Sequence, residues 1–265
     1  MQSDSNILQI DNLSKYFGGL AAVSDCSLKI KRESITGIIG PNGSGKTTLF
    51  NLIAGNLKAS KGTVLFNNEN ITDTPSYELF SKGLLRTFQI AHEFTNLTVL
   101  ENLMMVPGNQ YGEKLMTALL KPKLVKQEEE TVKQKAYEVI DFLNLKHLAN
   151  ELAGNLSGGQ KKLLELGRTM MVDAKIVLLD EVGAGVNRTL LKDIGTAILR
   201  LNKEKGYTFC MIEHDMDFIS RMCDPVIVMS EGSVLFQGNP NDVKKNEKVI
   251  ESYLGRANTI NGDNN

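Results

Sequence analysis

The sequence contains no tryptophan, and only 6% of its 265 residues are aromatic. Proteins that bind single-stranded nucleic acid by base stacking need a set of aromatic side chains, so this scarcity argues against that class. The net charge of −1 argues against it as well, because the chain has no overall basic field that would attract nucleic acid. We therefore expect no nucleic acid partner.

Cysteine is scarce and long apolar runs are missing. Cys26, Cys210 and Cys223 are far apart and form no CxxC pair, which is typical of a reducing compartment and argues against a disulfide framework or a zinc site. Residues 1–10 lack the pattern of a signal peptide, and no run approaches the ~18 apolar residues of a membrane-spanning helix. If the protein works at a membrane, another chain must hold it there.

Short apolar runs alternate with helical patterns in the first and last thirds of the chain. Helical spacing is found at 46–54, 190–205, 216–222 and 249–254. Strands are predicted at 7–10, 21–30, 35–39, 63–66, 176–179, 208–212, 226–229 and 234–237. This alternation predicts an α/β fold with a largely parallel sheet that is covered on both faces.

The pattern becomes mostly helical between residues 75 and 171. Val132, Ala136, Val139, Ile140 and Leu143 recur at steps of three and four, which is typical of one amphipathic helix. We interpret this part as a helical subdomain inserted into the α/β core, with 107–130 as a solvated connection. Residues 256–265 have little to bury, and we expect a disordered tail there.

A glycine-rich loop lies between the predicted strand at 35–39 and the helical pattern at 46–54. It fits GxxxxGK[ST], whose glycines let backbone N–H groups surround an anion at a helix N-terminus. A turn without ligand is the alternative, but this placement predicts that the loop binds a nucleoside triphosphate, with Lys46 reaching the outer phosphates and Thr47 binding Mg²⁺. The predicted contacts are Gly40, Pro41, Asn42, Gly43, Ser44, Gly45, Lys46, Thr47 and Thr48.

Two carboxylates end the apolar strand at 176–179. A buried strand does not itself require Asp180 and Glu181, and strand alternation would direct their side chains to opposite faces. We expect Asp180 to belong to the Mg²⁺ shell and Glu181 to act as the general base toward the attacking water. The alternative is an exposed strand end without metal.

A second turn suited to phosphate, Leu156–Ser157–Gly158–Gly159–Gln160, precedes another helical pattern. Ser157 is a good helix N-cap, and a cap followed by two flexible glycines is the structural alternative. That alternative leaves both glycines unexplained, because glycine weakens a helix start unless another backbone approaches closely.

These motifs together resemble those of the ATP-binding subunits of ABC transporters, over residues 6–255. The resemblance implies an α/β P-loop NTPase, an ABC cassette with a RecA-like core (6–89 and 174–255), an antiparallel β subdomain and an inserted helical subdomain (about 90–173). It implies ATP and Mg²⁺ as ligands. Ser157, Gly158, Gly159 and Gln160 would contact ATP held by a second cassette, because the family pairs this turn with the phosphate loop of another chain.

The resemblance also assigns roles to isolated residues. Phe17, before Gly18, corresponds to the aromatic that stacks on adenine, although a core or strand-edge phenylalanine would look the same in sequence. Gln89 corresponds to the glutamine that senses Mg²⁺ and water, and His214 to the switch histidine that contacts the γ-phosphate. Two departures from the family pattern are Val182, where proline is usual, and Asn187, where aspartate is common.

Within the family, the sequence is most similar to the ATPases of importers for branched-chain and other neutral or hydrophobic amino acids. Urea and lipopolysaccharide systems, non-transport ABC ATPases and small-molecule kinases are the alternatives. The resemblance implies a homodimer or paralogous heterodimer of cassettes, transmembrane permease subunits and, indirectly, a periplasmic solute-binding protein. It places the chain peripherally on the cytoplasmic face of the plasma (inner) membrane. The solute cannot be identified from the sequence.

Overall fold

The computed structural model describes residues 5–87, 93–108, 110–113 and 115–260, with side chains as far as Tyr253. Contacts group the chain into two compact units. The first comprises Met1–Arg86, Lys175–Gly183 and Leu199–Asn265, and the second comprises Thr87–Ala174 and Ala184–Ile198. Residues 184–198 thus group with the helical part, whereas the sequence interpretation placed them in the core.

An antiparallel sheet begins the first unit. Its strands, in the order β2-β1-β4-β5, are β1 (Asn6–Phe17), β2 (Leu20–Lys31), β4 (Lys61–Phe66) and β5 (Glu69–Asn70). A Gly18–Gly19 turn joins β1 to β2 and pairs Phe17 with Leu20. β1 is much longer than the predicted 7–10 because pairing with β2 continues past polar residues that conceal the strand pattern.

A six-stranded mixed sheet completes the strands of the first unit. It consists of β3 (Ile35–Ile39), β6 (Leu84–Arg86), β7 (Ile176–Asp180), β8 (Thr208–Ile212), β9 (Val226–Ser230) and β10 (Ser233–Gly238), in the order β10-β9-β3-β8-β7-β6. Only β10 runs antiparallel to its neighbour, which confirms the largely parallel sheet. Because β8 lies between β3 and β7, the segments that follow these three strands emerge side by side at one edge of the sheet.

The helices of the first unit are α1 (Lys46–Ile53), α2 (Ser76–Lys82), α8 (Met216–Met222), α9 (Pro240–Lys245) and α10 (Glu247–Ile260). One buried cluster joins Leu8, Ile10 and Ile30 of the antiparallel sheet to Phe50 of α1 and Ile212 of the mixed sheet. α10 extends six residues beyond the predicted end at Leu254, and 261–265 lie outside the described residues.

The second unit is helical, with α3 (Val99–Met104), α4 (Leu115–Leu120), α5 (Pro122–Phe142) and α6 (Gly158–Met170). α7 (Arg188–Lys205) begins in this unit and continues into the first. The interpretation of 107–130 as a connection is wrong for most of that stretch, because it contains a 3₁₀ turn, α4 and the start of α5. Pro122 at the first helical position and the many Lys, Glu and Gln residues favour a helix that apolar periodicity alone does not indicate.

The three cysteines are buried and free, and burial raises the pKa of Cys26 and that of Cys223 to about 12. These thiols therefore stay protonated at neutral pH. Within the described part of the chain, no helix is both long enough and apolar enough to cross a bilayer.

Candidate functional site

The phosphate loop, residues 40–48, joins β3 to α1 and packs closely against the backbone of Ala22 and Met229. Gly45 has φ +96°, and a Cβ there would lie 2.4 Å from the Ala22 carbonyl oxygen. A Cβ on Gly40 would lie 2.2 Å from the Met229 carbonyl oxygen. Both contacts are shorter than atoms tolerate, so glycine is required at these two positions by the neighbouring backbone.

Lys46 is buried, and its ammonium group is held by the loop itself. Nζ donates to the Gly40 carbonyl oxygen at 2.7 Å and to the Pro41 carbonyl oxygen at 3.0 Å. A buried ammonium needs such acceptors. Phosphate oxygens entering the loop would replace these carbonyl groups as its partners.

The other predicted loop contacts differ in exposure. Ser44 is fully buried, and its carbonyl oxygen accepts from the Gly232 N–H at 3.1 Å. Asn42, Gly43 and Thr47 are exposed, and Thr48 is half-buried. The Thr47 hydroxyl is therefore accessible to a ligand that enters from solvent.

Phe17 is 47% exposed at the end of β1, which excludes a core phenylalanine but not the strand-edge alternative. It lies beside the hairpin turn, and Lys15 Nζ lies 5.3 Å from the ring centroid. The exposed ring surface is available for stacking on a planar ligand.

Asp180 is the last residue of β7 and is buried in an ion pair that the sequence did not indicate. Its Oδ2 accepts from Arg86 Nη2 at 2.7 Å, while Arg86 Nη1 donates to Asn51 Oδ1 at 2.5 Å. Arg86 lies on the neighbouring strand β6 and also faces the Phe50 ring at 5.9 Å. The pair fixes the orientation of the Asp180 carboxylate, because the guanidinium is itself held by two further groups.

Glu181 and His214 contact each other directly. The distance from Glu181 Oε1 to His214 Nε2 is 3.1 Å, and the Glu181 N–H donates to the Ile212 carbonyl oxygen at 3.0 Å. Glu181 has φ +50°, so the chain leaves the strand at this residue. Asp180 and Glu181 have different partners, Arg86 and His214. The strand alternation that we had expected to separate these two carboxylates does not apply, because the chain leaves the strand at Glu181.

Glu213 is a buried carboxylate to which the sequence analysis assigned no role. It accepts from the Gly183 N–H at 2.7 Å and from the His214 N–H at 3.3 Å. It thus connects the segment after Glu181 to the segment that carries His214. Burial, with a smaller contribution from the Glu181 charge, raises its pKa above the usual 4.5, although the two N–H donors and the His214 charge oppose the shift.

The raised pKa of Glu213 predicts a pH dependence of stability. Between pH 4.5 and its folded pKa, the folded protein binds more protons than the unfolded chain, so this group's contribution to the unfolding free energy falls as pH rises. We expect the unfolding free energy of the wild type minus that of Glu213→Gln to decrease over this window and to be constant above it. Denaturant titrations at a series of pH values measure the difference.

Glu101 provides a control of opposite sign. Its pKa is lowered by hydrogen bonds from the Thr98 N–H and hydroxyl, so its contribution to stability is lost as pH falls through the folded pKa. The corresponding difference for Glu101→Gln should therefore decrease on acidification. A Glu213→Gln difference that rises with pH would contradict the assignment.

The signature turn, Leu156–Gln160, begins α6 in the second unit with a complete capping box. The Ser157 N–H donates to Gln160 Oε1 at 2.9 Å, and the Gln160 N–H donates to Ser157 Oγ at 3.4 Å. Leu156 is buried, whereas Ser157 and Gly158 are exposed. The cap explains the serine and the glutamine by local structure alone.

The two glycines of this turn have different structural needs. A Cβ on Gly159 would lie 2.5 Å from Leu190 Cδ1 and 2.7 Å from Leu190 Cβ, so α7 packs directly on this position. A Cβ on Gly158 would lie no closer than 3.7 Å to the nearest atom, the Gly185 carbonyl oxygen. Packing within this unit therefore requires the second glycine and does not account for the first.

The two departures from the family pattern fit their surroundings. Val182 is buried. Asn187 Oδ1 accepts from the Leu190 N–H at 2.9 Å and so caps the start of α7. Asparagine and aspartate are about equally good caps, so this substitution preserves the local structure.

Asn102 organises the loop before α3 and was missed in the sequence. It is fully buried, accepts from the Phe94 N–H at 2.9 Å and donates to the carbonyl oxygens of Phe94, Leu97 and Thr98 at 3.0, 3.2 and 3.0 Å. A polar residue within an apolar helical segment was the available signal.

Gln89 lies outside the described residues.

Two of the predicted Mg²⁺ ligands are oxygen groups of the type that this ion prefers. They are the exposed Thr47 hydroxyl and the oriented Asp180 carboxylate. In the parts of the chain that the structure describes, no group of three or more His, Cys, Asp or Glu side chains forms a metal cage. Mg²⁺ does not need one, because it commonly keeps waters and binds substrate phosphates.

Known proteins share both the sequence and the fold. Residues 23–184 match the family described as ABC transporter. A probable branched-chain amino acid transport ATP-binding protein, LivG of Archaeoglobus fulgidus, is 43% identical over 249 residues, covering 94% of this chain and 95% of that protein.

Two solved structures extend the comparison. The ADP conformation of an ATP-binding cassette of an ABC transporter has 40% identity and a TM-score of 0.80, covering 94% of this chain and 99% of that one. A dimeric cassette in a post-hydrolysis state with ADP and Pi has 25% identity and a TM-score of 0.71, covering 88% and 98%. The chain belongs to the ABC transporter family and is an ATP-binding cassette of it.

Proposed function

We propose that this chain hydrolyses ATP to power an importer of branched-chain or other neutral, hydrophobic amino acids. The observation that carries the proposal is the combination of a phosphate loop and a carboxylate–histidine pair in one unit with an exposed, capped signature turn in the other. A small-molecule kinase needs the loop but has no use for the turn. Nucleotide binding belongs to the family, and the carboxylate of Glu181, which follows β7 and contacts His214, supports hydrolysis.

Each residue of the proposed nucleotide site has a separate task in the proposed reaction. Lys46 exchanges the Gly40 and Pro41 carbonyl groups for phosphate oxygens, and Phe17 stacks on the adenine. Glu181 accepts a proton from the attacking water at its carboxylate, with His214 Nε2 holding that carboxylate 3.1 Å away. Mg²⁺, when bound by Thr47 and Asp180, with Gln89 as its sensor, supplies positive charge that offsets the phosphate oxygens.

A second cassette completes the proposed site. Ser157, Gly158 and Gln160 lie at an α6 N-terminus, where backbone N–H groups and the helix dipole favour an anion. The unexplained room at Gly158 is what a γ-phosphate from another chain would need. The related dimeric cassette with ADP and Pi supports assembly in pairs, either of this chain with itself or with a paralogue.

The helical unit would dock on permease subunits at the cytoplasmic face of the membrane. Phe94, Met105 and Leu152 are exposed apolar side chains on that unit and would supply apolar contacts to the permease. A solute-binding protein would act indirectly, by delivering the solute to the permease. The likeness to LivG supports amino acids as the solute, whose choice would rest with the other subunits.

Reconstitution tests the whole proposal. We expect the chain, combined in vesicles with its permease subunits and solute-binding protein, to drive uptake of labelled leucine when ATP is supplied on the cassette side. Lys46→Ala is the matched control and should abolish both uptake and hydrolysis. Hydrolysis coupled to urea uptake alone would overturn the solute, and a complex that transports without hydrolysing ATP would overturn the enzyme assignment.

A further inference from the structure

Four of the six residues of α4 are large apolar side chains that are mostly exposed. The side chains of Leu115, Met116, Leu119 and Leu120 are 75%, 67%, 68% and 70% exposed. Their spacing of one, four and five residues places them on one side of the helix. We call these four residues the insertion face.

The residues that flank the insertion face are hydrogen-bonded to one another and to α5. The Tyr111 N–H donates to Glu128 Oε2 of α5 at 2.5 Å, and the Gln110 side chain donates to the Pro107 carbonyl oxygen at 2.8 Å. The Lys121 N–H donates to the Thr117 carbonyl oxygen at 2.8 Å, so α4 leads directly into α5. The turn before α4 is therefore bonded to α5, and the end of α4 is bonded to the residue that precedes α5.

Three exposed lysines follow the insertion face in the sequence. Lys121, Lys123 and Lys126 are all exposed, and residues 115–126 include no Asp or Glu. Glu113 is the nearest exposed acid on the preceding side, and the exposed Glu129 and Glu130 follow Glu128 farther along α5. Between Glu113 and Glu128, every charged side chain that the structure describes is therefore a lysine.

We propose that the insertion face and these three lysines bind the anionic surface of a lipid bilayer. Leucine and methionine side chains would enter the boundary between headgroups and acyl chains, while the lysines would contact lipid phosphates. A helix of six residues is about 9 Å long, far too short to span the bilayer, so it would lie in the interface. Charge complementarity with the three lysines favours an anionic lipid surface as the partner.

None of these residues is assigned to the nucleotide site, so the proposal does not depend on the proposed ATPase. The insertion face would give the cassette a membrane contact of its own besides the permease. Each lysine near an anionic surface contributes about fivefold to binding, so removing three should weaken it roughly 100-fold. Polar replacements in the insertion face should weaken binding to anionic and neutral lipid alike, because they remove the apolar part.

The absence of tryptophan allows a direct test on the full chain. We expect the emission of Leu119→Trp to shift to shorter wavelength with vesicles of equal parts phosphatidylcholine and phosphatidylglycerol, and much less with phosphatidylcholine alone. Tyr77→Trp, at an exposed position of the first unit, should show no shift. Vesicle flotation then measures the partition coefficient without a probe.

Charge-matched variants separate the site from general electrostatics. Changing Lys121, Lys123 and Lys126 together to glutamine should abolish flotation at moderate protein concentration, whereas the same change at the exposed Lys244, Lys245 and Lys248 should not. Equal loss in both triple variants would overturn the site. Equal binding to neutral vesicles would overturn the anionic lipid, and no binding to any vesicle would overturn the proposal.

Two further outcomes would identify a protein partner in place of lipid. If Leu119→Gln leaves vesicle binding unchanged but prevents co-purification with the permease, the insertion face belongs to the permease. If it instead abolishes self-association of the chain measured by sedimentation without lipid, the face belongs to a second copy. Thermal unfolding of each variant confirms that it is folded.

Discussion

Replacing Glu181 with glutamine is expected to lower the rate of ATP hydrolysis by about 100-fold or more and to accumulate an ATP-bound dimer. An amide cannot accept the water proton that the carboxylate would take, and general-base catalysis contributes typically 10²–10⁴-fold. The amide still has an oxygen of the same position and size, so contact with His214 and ATP binding should survive. Phosphate release and gel filtration with MgATP measure the two effects.

Glu33 provides a matched control for this substitution. It is also a glutamate with a left-handed backbone, at φ +56°, but it precedes β3 and so lies at the opposite end of the strands from Glu181. Glu33→Gln should leave turnover unchanged and should produce no ATP-dependent dimer. A Glu181→Gln protein that stays monomeric with saturating MgATP, even with its partner cassette present, would contradict the composite site.

Replacing Ser157 with arginine is expected to abolish hydrolysis while leaving ATP binding by a single chain nearly unchanged. Ser157 is exposed in the second unit, and the proposed site brings it to the ATP of another cassette. The arginine side chain would fill the space where that phosphate must approach. Nucleotide titration of the monomer and steady-state hydrolysis of the assembled pair measure the two properties.

Ser157→Ala separates this effect from loss of the helix cap. Both variants lose the Ser157 hydroxyl that accepts from the Gln160 N–H, at a cost of about 1 kcal/mol in unfolding free energy. Only arginine also blocks the approach of a partner, so hydrolysis should fall far more in Ser157→Arg at similar stability. Equal loss of hydrolysis and of ATP binding in the arginine variant would show that Ser157 is merely a cap.

Much of the fold could be predicted because its strongest signals are local. The strand Thr208–Ile212 and the helix Met216–Met222 have the predicted bounds, since one is a short apolar run and the other begins at the cap Asp215. The long strand Asn6–Phe17 and the helix that starts at Pro122 were underestimated. In both, polar side chains conceal the period, and pairing or helix propensity decides the length.

The candidate site was predicted less completely, because several of its contacts join distant parts of the chain. Arg86 binds Asp180 across 94 positions, and Glu213 binds the Gly183 N–H across 30. Neither pairing leaves a local pattern. Glu213 in particular looked like a neighbour of His214, and only its burial and its two N–H donors indicate that it holds two loop segments together.

The sequence by itself determined the family of this protein and the candidate residues for its chemistry, because a phosphate loop, a carboxylate after an apolar strand and a capped glycine turn are specified by consecutive residues. Only the tertiary structure decided which of those residues the fold itself requires. Leu190 excludes a side chain at Gly159, while Gly158 has room that nothing in its own unit uses. Whether a glycine serves packing or a ligand depends on atoms that distant segments bring near it. The residues next to a glycine in the sequence do not show which distant segment packs against it.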